Sequence, residues 1–174
     1  MIGRLMRVKT GDREPIPGDE LPEGGRLLPL GRWEDERGAT LDLLRSEAAL
    51  LSGPLVYAHA FTVLPGRAKG WGRHADHDDR YALLRGAVEV ALFDARPSSR
   101  TSGSGFRVQL SLEDRGLLLI PRGVWHATRC VSTEEAIVID CPTRPYCHEA
   151  PDKFTLPLDT DEIPFVLGPD WHGH

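Results

Sequence analysis

The chain is poor in cysteine. Among its 174 residues there are three cysteines, Cys130, Cys141 and Cys147. The number is odd and no two are spaced as Cys-x-x-Cys, which argues against a disulfide framework and against a zinc ribbon. A reducing cytoplasm is therefore the expected compartment. The first fifteen residues lack an apolar signal-peptide core, and no apolar run reaches membrane-spanning length, so a membrane association is not predicted.

The sequence also lacks a basic block and any long amphipathic helix. Its 21 Lys and Arg residues stand against 26 Asp and Glu residues, and the net charge of −5 does not favour nucleic acid as a partner. Because no long helical segments separate the apolar runs, a parallel βαβ fold is not predicted. At this length a single domain is expected.

Short apolar runs between turn residues are abundant instead. The 14 Pro and 18 Gly residues are scattered along the chain, and short strands at this spacing are typical of an all-β sandwich or barrel. Residues 55–64 are predicted to form a long strand. Residues 26–30 are predicted to form a short strand at a sheet edge, because Pro29 cannot donate to a neighbour. Residues 39–45 are predicted to form a strand, and a short helix over 42–51 is the competing interpretation.

The two ends of the chain differ in composition from the middle. Residues 1–25 are charged and rich in Gly and Pro, and are predicted to be an extended N-terminal arm. Residues 26–150 carry the strands of the predicted barrel. Residues 151–174 are dense in Pro, which excludes a regular helix. They are predicted to be a C-terminal tail packed on the barrel.

The most specific pattern lies between residues 65 and 86. Gly66, Gly72, His74, Asp79 and Gly86 have the spacing of the first conserved box of a cupin barrel, G-x5-H-x-H-x3,4-E-x6-G. Two positions are altered, because Gly stands in place of the first His and Asp in place of Glu. The pattern therefore predicts a cupin site in which one side chain is missing.

A second box, Gly116 followed by Pro121-x-Gly123-x-x-His126, lies at the expected distance. Together with an Asp-Glu-Arg-Gly turn at 35–38, an Asp-Ala-Arg ending at 94–96 and the Pro-rich tail, these boxes resemble the divergent RmlC-like cupins related to dTDP-4-dehydrorhamnose 3,5-epimerases. The chain is also similar to the nucleotide-sugar 3,4-ketoisomerases. The resemblance covers residues 33–165.

This resemblance implies a double-stranded β-helix, the cupin jelly-roll barrel, in a homodimer. It implies an epimerase or isomerase acting on a nucleotide-linked 4-keto-6-deoxy sugar without a cofactor. The chain departs from the 3,5-epimerases at three positions. Gly72 takes the place of a His, Asp79 the place of a Lys, and Ile139 the place of the Tyr that is the proposed acid.

Epimerisation beside a ketone requires a base for the α-proton and a group that stabilises the enolate. His74 and His126, one from each box, are the candidate bases, since an unperturbed His has a pKa of ~6.5. Tyr146 is a candidate replacement acid. Arg73 and Arg80 are candidates for stabilising the enolate or binding pyrophosphate.

Three further residues are predicted to bind substrate. Arg37, in the turn at 35–38, resembles a nucleotide-phosphate contact of the family. Trp71 and Trp125 lie beside the box histidines, where they either stack on a sugar or base or pack the barrel rim. His59, on the predicted long strand, is interpreted as a core or interface residue rather than a cavity residue.

Two other functional classes remain open. His74, Asp79 and His126 form a plausible set of ligands for a divalent metal such as iron, zinc, nickel or manganese, as in a cupin dioxygenase or lyase. His77 is interpreted as a loop residue outside that set. Gly72 is either a lost ligand or a position that makes room for a bulky substrate. The third class is a non-catalytic cupin that binds a small molecule.

Overall fold

The computed structural model describes residues 21–44, 53–147 and 149–173. Within these ranges the chain forms twelve strands and no helix, and so contains no helix that could cross a membrane. The strands are β1 (Arg26–Pro29), β2 (Arg32–Asp35), β3 (Gly38–Leu41), β4 (His59–Val63), β5 (Ala68–Arg73), β6 (Asp79–Arg85), β7 (Ala87–Asp94), β8 (Gly105–Ser111), β9 (Gly116–Ile120), β10 (Val124–Cys130), β11 (Ala136–Asp140) and β12 (Phe154–Leu156).

Ten of these strands form two antiparallel sheets of five. The first sheet has the order β1-β9-β6-β11-β4, and the second has the order β12-β5-β10-β7-β8. Strands β2 and β3 form a separate hairpin around the turn at 35–38. Neighbours in each sheet are mostly distant in sequence, as in a jelly roll. The prediction of an all-β cupin barrel is confirmed.

The main core lies between the two sheets and follows from strand alternation. In β7, Val88, Val90 and Leu92 are fully buried on the inner face, as side chains at every second position share one face of a strand. They pack with inward side chains of the first sheet, including Leu118 and Val138. These contacts hold the sheets face to face.

Strand β9 is buried on both faces, which explains its continuous apolar sequence. Leu118 and Ile120 point into the main core. Leu117 and Leu119 point outward, where they pack with Leu30 in a separate cluster. A strand that is covered on both sides reads as an unbroken apolar run rather than an alternating one.

The predicted strands are largely confirmed, with one correction. Strand β1 ends at Pro29 and lies at the edge of its sheet, as expected. The long strand predicted for 55–64 is shorter, because only His59–Val63 pairs with β11. Residues 42–44 are irregular, and the rest of the competing helix lies outside the described residues. Residues 1–20 of the predicted arm also lie outside them.

The C-terminal segment packs along the second sheet. Strand β12 pairs with β5, so the tail extends that sheet by one strand. Further along, Ile163, Leu167 and Trp171 bury their side chains in an apolar cluster that includes Trp71. The tail therefore covers the outer side of β5 and forms part of the wall beside the mouth of the barrel.

Candidate active site

An open cavity of about 1850 Å³ extends from the barrel interior to the C-terminal segment. It is larger than the ~300–1,000 Å³ usual for small-molecule sites, so it has room for a ligand larger than a monosaccharide. Both sheets contribute to its polar wall. The titratable side chains among its lining residues include His59, His74, His77, Tyr81, His126 and Asp140.

Asp79, at the start of β6, is the centre of a cluster of three histidines. Its Oδ2 atom lies 3.5 Å from Nε2 of His126 and 3.8 Å from Nε2 of His74, and its Oδ1 atom lies 3.4 Å from Nε2 of His77. The carboxyl group is buried. Burial alone would raise the pKa of Asp79, but His77 and the charges of His126 and His74 outweigh it and lower that pKa. Asp79 is therefore a buried carboxylate.

His126 lies in the middle of the second sheet, on β10. Its Nδ1 atom is 3.4 Å from the backbone carbonyl oxygen of Val124. The carbonyl oxygen near Nδ1 and the Asp79 carboxylate near Nε2 both only accept, so each ring nitrogen of His126 faces an acceptor. Burial lowers the pKa of His126 more than the nearby carboxylate raises it. The ring is thus neutral and able to accept a proton.

His74 and His77 lie on the loop that joins β5 to β6. Their rings stack with centroids 4.1 Å apart. The Nδ1 atom of His74 contacts the backbone carbonyl oxygen of Asp152, and its Nε2 atom faces the carboxylate of Asp79. Burial would lower the pKa of His77, but Asp79 and Asp152 together raise it.

Asp152, in the C-terminal segment, fixes this loop. Its carboxylate accepts the backbone N–H groups of Ala75 at 2.8 Å and Asp76 at 2.7 Å. The same carboxylate lies 3.1 Å from Nδ1 of His77. The segment that carries β12 therefore sets the orientation of both loop histidines, although it is distant in sequence.

Gly72 pairs directly with His126 across β5 and β10. A Cβ atom at this position would lie 3.3 Å from Nε2 of His126, closer than a relaxed van der Waals contact. A side chain here would therefore press on the imidazole of His126. Gly72 also lines the cavity, and its two interpretations, as a lost ligand or as room for a substrate, stay predictions.

A second His–Asp pair faces the cavity from the first sheet. His59 on β4 and Asp140 on β11 are direct partners in the strand pairing, and His59 Nε2 lies 3.7 Å from Asp140 Oδ2. Burial and the charge of Asp79 raise the pKa of Asp140 well above its usual range, whereas burial lowers that of His59. The interpretation of His59 as a core residue is wrong, since its ring lines the cavity and is 42% exposed, and a place at an interface stays a prediction.

The structure brings together the three box residues predicted from sequence, His74, Asp79 and His126, but it does not bring Arg80 to the cavity. The side chain of Arg80 is fully buried. Its guanidinium donates to the carbonyl oxygens of Cys141, Gly53, Pro54 and Pro142. Four of its five N–H groups donate to backbone carbonyls, so the predicted role of Arg80 in substrate binding is corrected to a structural one.

Trp71 is also a packing residue rather than a platform for a ligand. It is 1% exposed and its ring meets Phe165 edge-on at 6.3 Å. Arg73, which shares its face of β5, has its guanidinium between the rings of Trp125, at 5.0 Å, and Phe154, at 4.5 Å. Trp71 is among the residues that line the cavity, although almost all of its ring is buried, whereas Arg73 and Trp125 are not among them. Of the two interpretations of Trp71 and Trp125, packing is the one that fits.

The other predicted residues divide between surface and cavity. Arg37 lies on the β2–β3 hairpin, where its side chain is 74% exposed and pairs with Asp35, and it does not line the cavity. Tyr146 does line it. The cavity also has three cationic side chains that the motifs did not indicate, those of Lys69, Arg144 and Lys153.

Comparisons with known proteins agree with this architecture. No family model matches the chain. A solved structure of a dTDP sugar isomerase from Desulfovibrio desulfuricans is 31% identical, with a TM-score of 0.77 over 84% of this chain and 93% of that chain.

Two curated proteins are similar over most of their length. The spore coat polysaccharide biosynthesis protein SpsL of Bacillus subtilis is 29% identical over 82% of this chain and 94% of its own length. The probable low-salt glycan biosynthesis epimerase Agl13 of Haloferax volcanii is 26% identical over 80% of this chain and 90% of its own length. With the barrel, the two boxes and this degree of identity, the chain belongs to the RmlC-like dTDP-sugar epimerase/isomerase family.

Proposed function

We propose that this protein epimerises or isomerises a nucleotide-linked 4-keto-6-deoxy sugar by proton transfer through histidine. The observation that carries the proposal is the arrangement around Asp79. The Nε2 atoms of His126 and His74 lie 3.5 and 3.8 Å from one buried carboxylate oxygen. The Nδ1 atoms of both rings lie against backbone carbonyl oxygens, so both nitrogens of each imidazole face groups that only accept. Such a cluster attracts a positive charge, and a proton taken from the substrate supplies it.

His126 is the base of the proposed reaction. Its lowered pKa keeps it neutral near pH 7, and Asp79 stabilises the imidazolium that forms when Nε2 accepts the α-proton. The electron pair of the broken C–H bond moves to the keto oxygen as an enolate. His74, which faces the same carboxylate, stabilises the arrangement or shares the proton. A positioned acid–base group contributes ~10²–10⁴-fold to the rate.

The cationic residues of the cavity fit the anionic parts of such a substrate. Lys153 is close enough to lower the pKa of both His59 and His126, so it lies within electrostatic reach of a developing enolate. Lys69 and Arg144 line the same cavity and are suited to the diphosphate. They take the role predicted for Arg73 and Arg80. Arg37 remains a predicted nucleotide contact and Tyr146 a predicted acid.

The predicted homodimer remains part of the proposal. Apolar side chains are exposed beside strand β4, which forms an edge of the first sheet: Leu55 is 56% exposed, Val56 45% and Leu64 58%. An open edge with exposed apolar residues favours association with another copy. Light scattering coupled to size-exclusion chromatography measures the mass directly, and a monomer at all concentrations contradicts this part of the proposal.

The test uses dTDP-4-keto-6-deoxyglucose in deuterated buffer, followed by proton NMR. The protein is expected to introduce deuterium beside the ketone much faster than buffer alone, and His126→Gln is expected to lose at least about 100-fold of that rate. Absence of enzyme-dependent deuterium uptake, or a His126→Gln variant as active as the unmodified protein, would refute the proposal.

A metal-dependent reaction is the second candidate, because His74, Asp79 and His126 offer donor atoms that all lie within 4.8 Å of one another. Two neutral imidazoles and one carboxylate suit zinc, iron, nickel or manganese, which would polarise a bound oxygen atom. Elemental analysis of protein purified without chelator tests this. A stoichiometric metal that is lost in His126→Gln favours the metal reaction, and metal-free protein with full activity excludes it.

A further inference from the structure

We propose that His59 and Asp140 form a second proton-transfer pair, which returns a proton to the opposite face of the substrate carbon and makes the reaction an epimerisation. The inference rests on the proposed function. It adds an acid partner to the base His126, and it selects inversion of a carbon over migration of a ketone. Nothing in the two conserved boxes points to either residue.

The position of the pair is the first argument. His59 on β4 and Asp140 on β11 belong to the first sheet, whereas His126 on β10 belongs to the second sheet. All three residues line the same cavity. A sugar ring held between the sheets has one face toward His126 and the other toward His59. Inversion requires removal of a proton from one face of the carbon and delivery of a proton to the other face. A base and an acid on opposite sides of the sugar ring can do this.

The pair itself is built into the sheet. His59 and Asp140 are directly opposite in the antiparallel pairing, and the distance between Nε2 and Oδ2 is 3.7 Å. The other oxygen of Asp140 accepts the backbone N–H group of Arg80 at 3.1 Å. The carboxyl side chain is 6% exposed, while that of His59 is 42% exposed. Asp140 is therefore the fixed inner partner, and His59 is the member that meets substrate and solvent.

The protonation of the pair supports the assignment. Burial and the neighbouring charge of Asp79 raise the pKa of Asp140, and burial lowers that of His59. The carboxyl group thus retains a proton next to a neutral imidazole. A neutral pair that holds one mobile proton is a general acid in the resting enzyme. On the other side of the cavity, His126 is a neutral base beside a carboxylate.

The strand alternation of β11 explains why the proposed acid is at position 140, one residue after the position at which the family has its Tyr. Val138 and Asp140 are buried and point inward, and Val138 lies in the main core. Ile139 occupies the position at which the family has its Tyr, and it points to the outer face, between its partners Ala60 and Ala82 in the neighbouring strands. A residue on this strand reaches the cavity from position 140 and not from position 139.

The proposed proton transfers need no other reactant. The C–H bond beside the ketone breaks, its proton passes to Nε2 of His126, and the electron pair moves to the keto oxygen. The enolate then reforms the ketone as a new C–H bond takes its proton from the His59–Asp140 pair. His126 releases its proton to solvent, and the exposed ring of His59 regains one. No oxidation or reduction takes place.

The test separates exchange from inversion. The unmodified protein, His59→Gln, Asp140→Asn and Tyr146→Phe are incubated with dTDP-4-keto-6-deoxyglucose in deuterated buffer. NMR records deuterium uptake with retained configuration and the formation of the inverted sugar. Because exchange needs only His126, His59→Gln and Asp140→Asn are expected to retain it within about threefold. Inversion is expected to fall about 100-fold or more in both variants. Thermal melting verifies that each variant is folded.

Each remaining outcome counts against a specific claim. If His59→Gln and Asp140→Asn, folded, invert as fast as the unmodified protein, the pair is not the acid. If Tyr146→Phe alone loses inversion, the acid is Tyr146. If the unmodified protein moves the ketone without inverting a carbon, the pair has no such role although the proposed isomerase function stands. If the unmodified protein shows neither exchange nor inversion, the proposed function itself is refuted.

Discussion

Replacement of Asp79 by Asn removes the charge on which the histidine cluster depends. His126 Nε2 and Asp79 Oδ2 are 3.5 Å apart, and two unit charges at that distance interact by about 5 kcal/mol at an effective dielectric constant of ~20. If about half of the positive charge has developed on the ring in the transition state, the loss is about 2.4 kcal/mol. That corresponds to a rate about 50-fold slower.

The assay is the initial rate of deuterium uptake by dTDP-4-keto-6-deoxyglucose, measured over a range of substrate concentrations. Because the charge acts when the proton moves, kcat is expected to fall and KM to change little. Asp170→Asn is the matched control. Its carboxylate is 78% exposed, pairs with Arg129 at 3.6 Å and lies outside the cavity. The same chemical change there is expected to leave the rate unaltered.

Two results would contradict the reasoning. An Asp79→Asn variant within about threefold of the unmodified rate would show that the carboxylate does not stabilise the imidazolium. A variant with unchanged kcat and a raised KM would show that Asp79 contributes to binding alone. Metal content is measured on the same samples. If the reaction depends on a metal, Asp79→Asn removes one of its ligands, and an ion that is stoichiometric in the unmodified protein is lost from the variant.

Four further outcomes are expected. Arg80→Met leaves buried carbonyls without their donor and is expected to destabilise the fold by about 3 kcal/mol or more, visible in a melting curve. Asp152→Ala removes the acceptor of the loop N–H groups, so the rate is expected to fall about tenfold and the pKa of His77, followed by NMR, is expected to drop. The lowered pKa of His126 predicts that activity persists below pH ~6.5 and declines only as the pH falls further, because the ring must be neutral to accept a proton. The raised pKa of Asp140 means that the folded protein holds a proton there that the unfolded chain releases near pH ~4. Stability is lost as the pH rises from that value through the raised pKa of the folded protein, so Asp140→Asn is expected to melt higher than the unmodified protein by a margin that grows over this range and is constant above it.

The repeating features of the sequence predicted most of the fold. The alternation expected of a strand is visible in β7, and β9, which is covered on both faces, appears in the sequence as an unbroken apolar run. Box spacing correctly predicted that His74, Asp79 and His126 lie close together, because the residues of a box have fixed positions on paired strands and the loop that joins them. These features depend on local order along the chain, which a single sequence displays directly.

The incorrect predictions concern residues whose contact partners are remote in sequence or are backbone atoms. Arg80 resembled a substrate cation because its four carbonyl partners have no signature in the sequence. Trp71 resembled a stacking platform because the C-terminal segment that covers it lies some distance along the chain. His77 lies on a loop, as predicted, but its contacts with Asp79 and Asp152 have no signature in the sequence.

Asp140 was missed although a signal was present. It continues the inward alternation of Ala136 and Val138 as a polar residue at the end of an apolar strand. Burial of a carboxyl group at an inward position of a barrel strand lowers the stability of the fold unless the group is paired or hydrogen-bonded, so such a residue is a candidate for a specific role. Its register opposite His59 is set by pairing between β4 and β11, which the sequence does not specify.

The contact between Asp152 and the loop of His74 and His77 has a consequence for the order in which the protein matures. These residues are separated by as many as 78 positions, and a chain emerges from the ribosome N-terminal end first. The barrel strands through β11 can pair while the histidine loop still lacks the carboxylate that orients it. The site is therefore completed late in synthesis, after the strands that enclose the cavity, and a chain that ends before Asp152 would lack the carboxylate that orients His74 and His77.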